Sequence, residues 1–325
     1  MSEEVRKNLM LFTGRSNPFL AEKIAHILKV ELGEVKTKAF ANGEIYARYK
    51  QSVRGSDLFI VQSVSSWEGG TVNDALMELL IMTDAAKRAS AHSITAVITH
   101  FGYSRQDKKS ASREPISAKL VANMLTIAGI NRVITLDLHQ GQIQGFFDIP
   151  VNHLTALPIF ANYFLNKNLE NLCVVSPDVG RAKAAKKLAD MLDADLAIMH
   201  KSRPAHNVAE ISNVIGDVVG KTCIINDDMI DTAGSLDIGV TALKKANAGD
   251  IYVCATHGLF SGPAYERLDN PNIIEVVVCD TVPVPPERQS NRLKVVSVAP
   301  LLAQAISNVF EELSISELFD PDFAL

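Results

Sequence analysis

The fold is decided by one segment of the chain, which reads TCIINDDMIDTAGS at residues 222–235. Its first residues, Thr222–Asn226, form an apolar, β-branched run of the kind found in buried strands. A helical pattern of apolar residues begins soon afterwards, at Leu236. The segment therefore predicts a strand that passes through a tight turn into a helix, which is the repeating unit of α/β proteins with parallel sheets.

The same alternation of short β-rich runs and longer amphipathic stretches extends along the chain. We predict further strands at Leu9–Thr13, Leu58–Gln62, Ile94–Thr99, Val133–Asp137, Leu172–Ser176, Leu196–Met199, Ile251–Thr256 and Ile274–Cys279. We predict helices at Val72–Ser90, Ile116–Ala128, Ala182–Leu192 and Ser235–Ala246. This order indicates two doubly wound α/β domains with parallel sheets, at residues 1–152 and 153–325, with a connection near Pro150–Pro158. This division of the chain allows the extreme C-terminal helix to pack back on the first domain.

Composition and charge exclude several classes of protein. The 325 residues carry a net charge of −5 with both signs interspersed, so no basic stripe marks a nucleic-acid partner. No apolar run approaches the roughly 20 residues that cross a bilayer, and the first residues, Met1–Glu4, are polar and acidic. We therefore expect a cytoplasmic chain without a membrane partner, whose four cysteines are reduced thiols packed in strands.

The turn that enters the predicted helix is a candidate phosphate site. Unpaired N–H groups and the helix dipole favour an anion there, Gly234 allows a close approach, and Thr232 and Ser235 add hydroxyl donors. Asp227 and Asp228 precede the turn, and paired carboxylates accept hydrogen bonds from vicinal sugar hydroxyls. Together these residues suggest a phosphorylated ribose. The spacing alone leaves open a second interpretation, in which Ser235 caps the helix and the acids are solvated.

The segment resembles the ribose-phosphate loop shared by type I phosphoribosyltransferases and ribose-phosphate pyrophosphokinases. Further segments resemble the pyrophosphokinases, in order from Gly14 to Phe319: FANGE at 40–44, SVRG at 52–55, FGYSRQDKK at 101–109, SREPISAK at 112–119, DLHQGQIQGFFDIP at 137–150, SPDVG at 176–180 and HGLFSGP at 257–263. The resemblance implies domains of the type I phosphoribosyltransferase kind. It also implies transfer of diphosphate from ATP to ribose 5-phosphate with Mg²⁺ as cofactor.

The resemblance also implies roles for individual residues. Those for ribose 5-phosphate are Asp227, Asp228, Asp231, Thr232, Ala233, Gly234 and Ser235. Those for ATP are Phe40, Asn42, Glu44, Arg105, Gln106, Lys108, Lys109 and His139. His139 and Asp178 are the implied magnesium ligands, and Lys201 and Arg203 the implied catalytic cations. The family forms dimers assembled into hexamers, so we expect a homohexamer in which residues 40–44 complete a neighbouring subunit's ATP site.

Five residues match segments around the family's regulatory phosphate and ADP site: Ser52, Arg54, Ser314, Ser316 and Phe319. Asn152-His153 departs from the Asp-Asn that is common at that site. We therefore expect phosphate to bind, whereas inhibition by ADP is not implied. The alternative for the two C-terminal serines is helix capping.

Four further departures from the family lie near the implied sites: Ser110-Ala111, Arg181 with Ala184, Asn226, and Ser235. They leave open an alternative function, a catalytically weak regulatory paralogue that acts as a subunit in a hetero-oligomer. The presence of His139, Asp178, Lys201 and Arg203 argues against it. A phosphoribosyltransferase would share the ribose loop, but it would need neither the cationic loop at residues 105–113 nor the segment at residues 40–44.

Overall fold

The computed structural model describes residues 8–205, 208–289 and 291–319, and for residues 201–205, 208–212, 317 and 319 it describes the backbone alone. The chain divides into two compact units. Unit 1 comprises the residues up to Thr155 with Thr281–Pro283 and Ser297–Phe319, and unit 2 comprises Ala156–Asp280 with Val284–Val296. The sequence placed the boundary between residues 152 and 153, whereas the chain changes unit after Thr155 and returns twice to unit 1 near its end.

Strands and helices alternate along the described chain. The strands are β1 (Leu9–Thr13), β2 (Val35–Ala39), β3 (Ile45–Tyr49), β4 (Asp57–Ser63), β5 (Ser93–His100), β6 (Arg132–Leu136), β7 (Val151–Leu154), β8 (Leu172–Ser176), β9 (Asp195–Ala205), β10 (Val208–Ile215), β11 (Thr222–Ile230), β12 (Ile251–Gly258), β13 (Glu275–Cys279) and β14 (Leu293–Val296). The helices are α1 (Pro18–Leu28), α2 (Val72–Arg88), α3 (Ser117–Ala128), α4 (Leu157–Leu165), α5 (Ala182–Met191), α6 (Gly234–Lys245), α7 (Ala264–Leu268) and α8 (Ala299–Phe310).

Unit 1 is built on a parallel sheet with the strand order β1-β4-β5-β6-β7. Leu58 and Ile60 of β4 join a core with residues of α2 and α3, and the alternate residues Phe59 and Val61 are also buried. Both faces of the sheet are therefore covered, as parallel sheets require. Helix α8 packs against α1 within this unit.

A separate antiparallel hairpin, β2–β3, lies against α2 in unit 1. The sequence did not predict it, because its residues are largely half-exposed and give no apolar run. Tyr49 anchors the hairpin: its hydroxyl donates to the Met82 carbonyl at 3.0 Å, and its ring lies edge-on to Phe12 at 4.7 Å. The hairpin tip at residues 40–44 is thus held by its base and is exposed.

Unit 2 contains a sheet with the strand order β10-β9-β8-β11-β12-β13-β14. From β8 the chain moves outward to β9 and β10, and it then returns to the other side of β8 to form β11. The direction of winding therefore reverses between β8 and β11. In open α/β sheets, ligands bind beyond the carboxyl ends of the strands at such a reversal.

The prediction of an α/β fold with parallel sheets is confirmed, with two local differences besides the β2–β3 hairpin. Strands β9 and β10 pair antiparallel, because two intervening residues are enough for antiparallel neighbours, whereas parallel strands need a crossover of roughly a dozen residues or more. The expected connection at Pro150–Pro158 instead forms β7 and the start of α4. The four cysteines are buried in β8, β11, β12 and β13, as predicted. None of the helices in the described ranges has the length and apolarity needed to cross a membrane.

Candidate active site

The paired acids lie on strand β11 itself, not in a loop after it as the sequence analysis assumed. The strand continues to Ile230 because β12 continues beside it, with Asp227 opposite Ala255 and Ile230 opposite Gly258. On its other side, β8 pairs with β11 only as far as Ile225. Beyond that point β11 has lost one neighbouring strand, so the acids lie where the winding of the sheet reverses.

The two carboxylates differ in their surroundings. The Asp228 side chain is 3% exposed and that of Asp227 is 29% exposed. The Asp227 carboxylate accepts a hydrogen bond from the Asp228 N–H at 2.9 Å. Burial, and then the neighbouring Asp228 carboxylate, raise the pKa of Asp227 well above its ordinary value, while the Arg181 guanidinium lowers it in part. Asp227 therefore holds its proton more tightly than an exposed aspartate.

Arg181 brings a cation to these acids. After β8, Asp178 begins a short 3-10 turn at Val179–Arg181, and its Oδ1 accepts from the Arg181 N–H at 3.1 Å. The Arg181 side chain is 14% exposed, and its Nε lies 3.9 Å from Asp227 Oδ1 and 4.0 Å from Asp228 Oδ1. In the sequence, Arg181 stands out only as a departure from the family. The one available signal that Arg181 has a functional role was its position shortly after a strand, at the point where the winding of the sheet reverses.

The predicted phosphate turn lies at Asp231–Ala233, directly before α6. Ala233 adopts a left-handed conformation with φ 56° and precedes the first helical residue, Gly234, and no side chain caps this helix start. The alternative in which Ser235 caps the helix is therefore wrong: Ser235 is exposed inside the first turn, and Thr232 is exposed beside it. An uncapped helix start of this kind favours an anion.

Arg267 of α7 supports the turn from the side, and sequence reasoning missed it. Its Nη1 donates to the Thr232 carbonyl at 2.7 Å. A Cβ at Gly234 would lie 3.1 Å from the same nitrogen, so the glycine allows this close approach. The Ser261 N–H also donates to the Asp231 carbonyl at 2.9 Å, which ties the turn to the segment at residues 257–263. No local pattern in the sequence links α7 to the turn.

The predicted adenine-pocket residues lie together at the tip of the β2–β3 hairpin. Phe40, Asn42 and Glu44 are all exposed. The Phe40 N–H donates to the Glu44 carbonyl at 2.7 Å, and Asn42 Oδ1 accepts from the Glu44 N–H at 3.2 Å. The Lys38 ammonium lies 4.5 Å from the centre of the Phe40 ring. The tip therefore presents an aromatic ring beside a cation, on a backbone held by its own hydrogen bonds.

The cationic loop before α3 is anchored at both ends. Gln106 accepts from the Ala118 N–H at 3.2 Å through its backbone, and its side-chain oxygen accepts from the Ser117 hydroxyl at 2.5 Å. The Glu114 carboxylate accepts from the N–H groups of Ser110 and Ala111 at 2.7 and 2.8 Å. Ser110 and Ala111, which depart from the family, therefore stabilise the loop through their backbone N–H groups. The remaining predicted ATP residues of the loop are exposed: Arg105, Lys108 and Lys109.

The predicted metal ligands, His139 and Asp178, are half-buried and follow strands β6 and β8. The described residues contain no cluster of three or more His, Cys, Asp or Glu side chains suited to a metal. Mg²⁺ usually takes one or two carboxylates and completes its shell with water and substrate phosphates. The Asp178 carboxylate fits this role, and the His139 imidazole is a less usual magnesium ligand.

The two predicted catalytic cations fall on residues whose side chains are not described. Lys201 and Arg203 belong to β9 by their backbone, and their side chains lie outside the described part of the structure. Their assignment stays a prediction from the sequence.

Two of the predicted regulatory residues line a cavity in unit 1. Its volume is about 410 Å³, and its lining includes Ser314, Ser316, Arg132 and Asn152. Arg132 Nη1 donates to Asn152 Oδ1 at 3.1 Å, so a cation that the sequence analysis missed lies at this cavity. Ser314 also accepts from the Ser316 N–H at 3.1 Å, a local bond of the capping kind.

The other three predicted regulatory residues are not placed at this cavity. Ser52 and Arg54 are exposed and do not belong to the described lining. The Phe319 side chain lies outside the described residues.

Comparison with known proteins covers both units. A profile of the N-terminal domain of ribose phosphate pyrophosphokinase matches residues 9–129, and a profile of a phosphoribosyl synthetase-associated domain matches residues 206–320. The ribose-phosphate pyrophosphokinase of Bacillus subtilis is 51% identical over 313 residues, which span 96% of this chain and 98% of that protein. The ribose-phosphate pyrophosphokinase of Clostridium tetani is 50% identical over 318 residues, which span 97% of this chain and 98% of that protein.

A solved structure shows the same similarity. The crystal structure of phosphoribosylpyrophosphate synthetase from Mycobacterium smegmatis has a TM-score of 0.88 and 46% sequence identity, covering 94% of this chain and 100% of that chain. Because these matches extend over nearly the full length of the chain and include the turn at residues 231–235, the chain belongs to the ribose-phosphate pyrophosphokinase family.

Proposed function

We propose that the chain transfers the diphosphate group of ATP to the anomeric hydroxyl of ribose 5-phosphate, forming 5-phosphoribosyl 1-pyrophosphate and AMP. The observation that carries this proposal is the succession of paired carboxylates, turn and uncapped helix start at residues 227–235. A phosphorylated pentose offers the complementary groups, since its phosphate is an anion and its vicinal hydroxyls are donors.

Ribose 5-phosphate binds in this proposal along the end of β11. Its phosphate accepts hydrogen bonds from the first N–H groups of α6 and from the Thr232 and Ser235 hydroxyls. Its vicinal hydroxyls donate to Asp227 and Asp228. Arg267 keeps the Thr232 carbonyl turned away from the phosphate, because that carbonyl is engaged by the guanidinium at 2.7 Å. Asp231, Ala233 and Gly234 contribute backbone groups to the turn that holds the phosphate.

ATP binds in this proposal through the exposed groups of unit 1. The Phe40 ring stacks on the adenine of a neighbouring subunit's ATP, with Asn42 and Glu44 beside it. Arg105, Gln106, Lys108, Lys109 and His139 contact the polyphosphate. The loop cations are exposed, so they are available to close over ATP and exclude water, which would otherwise hydrolyse it.

Mg²⁺ is the proposed cofactor, and Asp178 is the residue that fits it best, with His139 as the second ligand implied by the family resemblance. When bound, the ion neutralises charge on the phosphate oxygens.

The protein's own work in the reaction is positioning and charge stabilisation. The anomeric oxygen attacks the β-phosphorus of ATP in line with the bond that breaks, and AMP leaves. Lys201 and Arg203 stabilise the charge on the transferring group in this scheme, together with the loop cations. The phosphate turn holds the sugar so that the anomeric hydroxyl remains directed at ATP.

A coupled assay of AMP release tests the proposal. The full-length purified chain is mixed with ATP, Mg²⁺ and ribose 5-phosphate, and binding of ribose 5-phosphate is measured separately by calorimetry. We expect AMP release that depends on ribose 5-phosphate, with saturable binding of the sugar. Binding of both substrates without AMP release would instead support the regulatory paralogue. No binding of ribose 5-phosphate would refute the assignment of the turn.

Assembly, regulation and location are proposed on narrower grounds. The exposed hairpin tip supports a homo-oligomer, with the hexamer taken from the family resemblance. The 410 Å³ cavity offers phosphate one cation, Arg132, and the hydroxyls of Ser314 and Ser316, whereas Glu312 in the same lining opposes an anion; phosphate as a regulator is therefore proposed mainly on the family resemblance. The cytoplasm remains the proposed location, in keeping with the four free thiols buried in β8, β11, β12 and β13.

A further inference from the structure

Arg181 lies beside the paired acids without completing a hydrogen bond to them. Its Nε is buried and has no hydrogen-bond partner within the part of the chain that the structure describes. The Nε atom is 3.9 Å from Asp227 Oδ1 and 4.0 Å from Asp228 Oδ1. These distances exceed the roughly 2.7–3.2 Å of an N–H···O hydrogen bond. The arginine and the acids therefore attract each other across a gap.

The gap has the size of one bridging oxygen atom. If two hydrogen bonds of about 2.8 Å meet at one oxygen atom at an angle of about 90°, their outer atoms lie about 4.0 Å apart. The backbone of Arg181 is held by its N–H bond to Asp178 at 3.1 Å. An oxygen placed between Nε and the carboxylates would satisfy the buried donor, which is otherwise unfavourable to leave unpaired.

The chemistry of the three side chains decides which oxygen fits. A guanidinium only donates hydrogen bonds, and an ionised carboxylate only accepts them. The bridging group must therefore accept from Arg181 and donate to an aspartate, as a hydroxyl or a water molecule does. A phosphate oxygen would be repelled by the two carboxylates, and an ammonium group would be repelled by the guanidinium.

We propose that Arg181 is a ribose-recognition residue, whose Nε donates a hydrogen bond to one of the two vicinal hydroxyl oxygens of ribose 5-phosphate while that hydroxyl donates to Asp227 or Asp228. The inference rests on the proposed function, since it takes ribose 5-phosphate as the ligand of β11 and its turn. The guanidinium also offsets part of the negative charge of the two carboxylates. The residue thereby distinguishes a ribose from a sugar that lacks the bridged hydroxyl.

A cycle that combines protein variants with ligand analogues tests the inference. Calorimetry measures the affinity of the full-length wild-type chain and of Arg181→Met for ribose 5-phosphate, 2-deoxyribose 5-phosphate and 3-deoxyribose 5-phosphate. Lys187→Met is the matched control, because it removes an exposed cation from helix α5, which begins directly after Arg181. Circular dichroism verifies that each variant is folded.

We expect Arg181→Met to lower the affinity for ribose 5-phosphate by about 10–100-fold, the effect of losing a hydrogen bond to a charged group. One of the two deoxy sugars lacks the hydroxyl that Arg181 contacts. For that sugar, Arg181→Met should change the affinity less than about three-fold, because the hydrogen bond is already absent. Lys187→Met should leave all three affinities unchanged. If Arg181→Met does not fold, Arg181→Lys retains the charge without the Nε position and should show the same selective loss, at least about five-fold.

An equal loss of affinity for all three sugars would overturn the inference, because Arg181 would then act only as a counter-ion. Unchanged affinities in Arg181→Met would also overturn it. In both cases wild-type binding of ribose 5-phosphate leaves the proposed function intact. Failure of the wild-type chain to bind ribose 5-phosphate would overturn the inference and the proposed site together.

Discussion

The proposed ribose-phosphate turn of unit 2 and the cationic loop of unit 1 present their polar groups in opposite ways. In unit 2, the carboxylates project from a paired strand, and one of them is almost fully buried. In unit 1, the loop backbone is tied down by Glu114 and Gln106, but its cations extend into solvent. The first site is arranged before a ligand arrives. In the proposed function, the second gives up side-chain freedom and hydration when it closes on ATP.

This difference shows where each site obtains its selectivity. A pair of acids of which one is buried, beside a fixed cation, recognises a specific pattern of donors and acceptors, because an unmatched group there stays unpaired. Exposed cations attract any polyphosphate, and their arrangement is decided on binding.

Removing both charges from the acid pair should give the largest effect. The double substitution Asp227→Asn with Asp228→Asn weakens two hydrogen bonds to charged groups of about 1.5–3 kcal/mol each, so the affinity for ribose 5-phosphate should fall by about 10²–10⁴-fold. The affinity for ATP should not change, because the predicted ATP groups belong to unit 1. Calorimetry with each ligand separately measures both. Asp190→Asn, an exposed acid of α5, is the control. A comparable loss of ATP affinity would contradict the division of roles.

The affinity for ribose 5-phosphate should depend on pH through Asp227. Sugar hydroxyls bind the ionised carboxylate, so binding lowers the raised pKa of Asp227 and releases its proton. The affinity should be constant above that raised pKa and should fall about ten-fold per pH unit below it. Titrations across pH in buffers of different ionisation enthalpy measure the affinity and the released proton. The Asp228 carboxylate and the Arg181 guanidinium are the charges that set this pKa.

The variant Asp227→Asn removes this part of the pH dependence and leaves the part that belongs to the sugar phosphate. Identical pH profiles for the variant and the wild type would contradict the assignment. The same raised pKa affects stability with a definite sign. The folded chain binds the Asp227 proton more tightly than the unfolded chain, so this group stabilises the fold at low pH and loses that contribution as pH rises through its folded-state pKa.

The smallest effect is expected at the hairpin tip. Phe40→Ala should raise the KM for ATP by about five-fold, near the lower end of the roughly 1–3 kcal/mol that stacking of a base on an aromatic ring contributes. The free energy of unfolding should change by less than about 0.5 kcal/mol, because Phe40 is exposed. Steady-state kinetics and thermal unfolding measure the two quantities. Phe19→Ala, which removes an exposed ring of α1, should change neither. A large loss of stability in Phe40→Ala would show that the ring serves the fold.

Sequence reasoning reached the phosphate turn because its signals are local. The strand run, Gly234 and the helix pattern follow one another within residues 222–236, and the periodicity of each element is visible without its neighbours. The same reasoning extended β11 too little, since it treated Asp227 and Asp228 as loop residues. Their strand conformation depends on β12, which continues beside them. Polar residues at the end of a strand look like a loop until the partner strand is known.

The residues that sequence reasoning missed are held by contacts over long sequence distances. Arg267 reaches the turn from 35 residues away, and Arg132 reaches Asn152 across 20 residues. Neither arginine lies in a sequence motif. The residues around each of them could equally surround an arginine that only contacts solvent. The hairpin β2–β3 was missed because its pairing, rather than an apolar pattern, defines it.

The sequence by itself determined the α/β class, the turn before α6 and the residue types at the two proposed substrate sites, because these follow from short-range periodicity and from chemistry carried by adjacent residues. The tertiary structure alone decided that β8 ends short of the acids and that Arg181 lies about 4 Å from both of them. Strand register and side-chain direction are set by packing between residues about 50 positions apart, here Cys173 opposite Cys223, and no local pattern encodes that alignment.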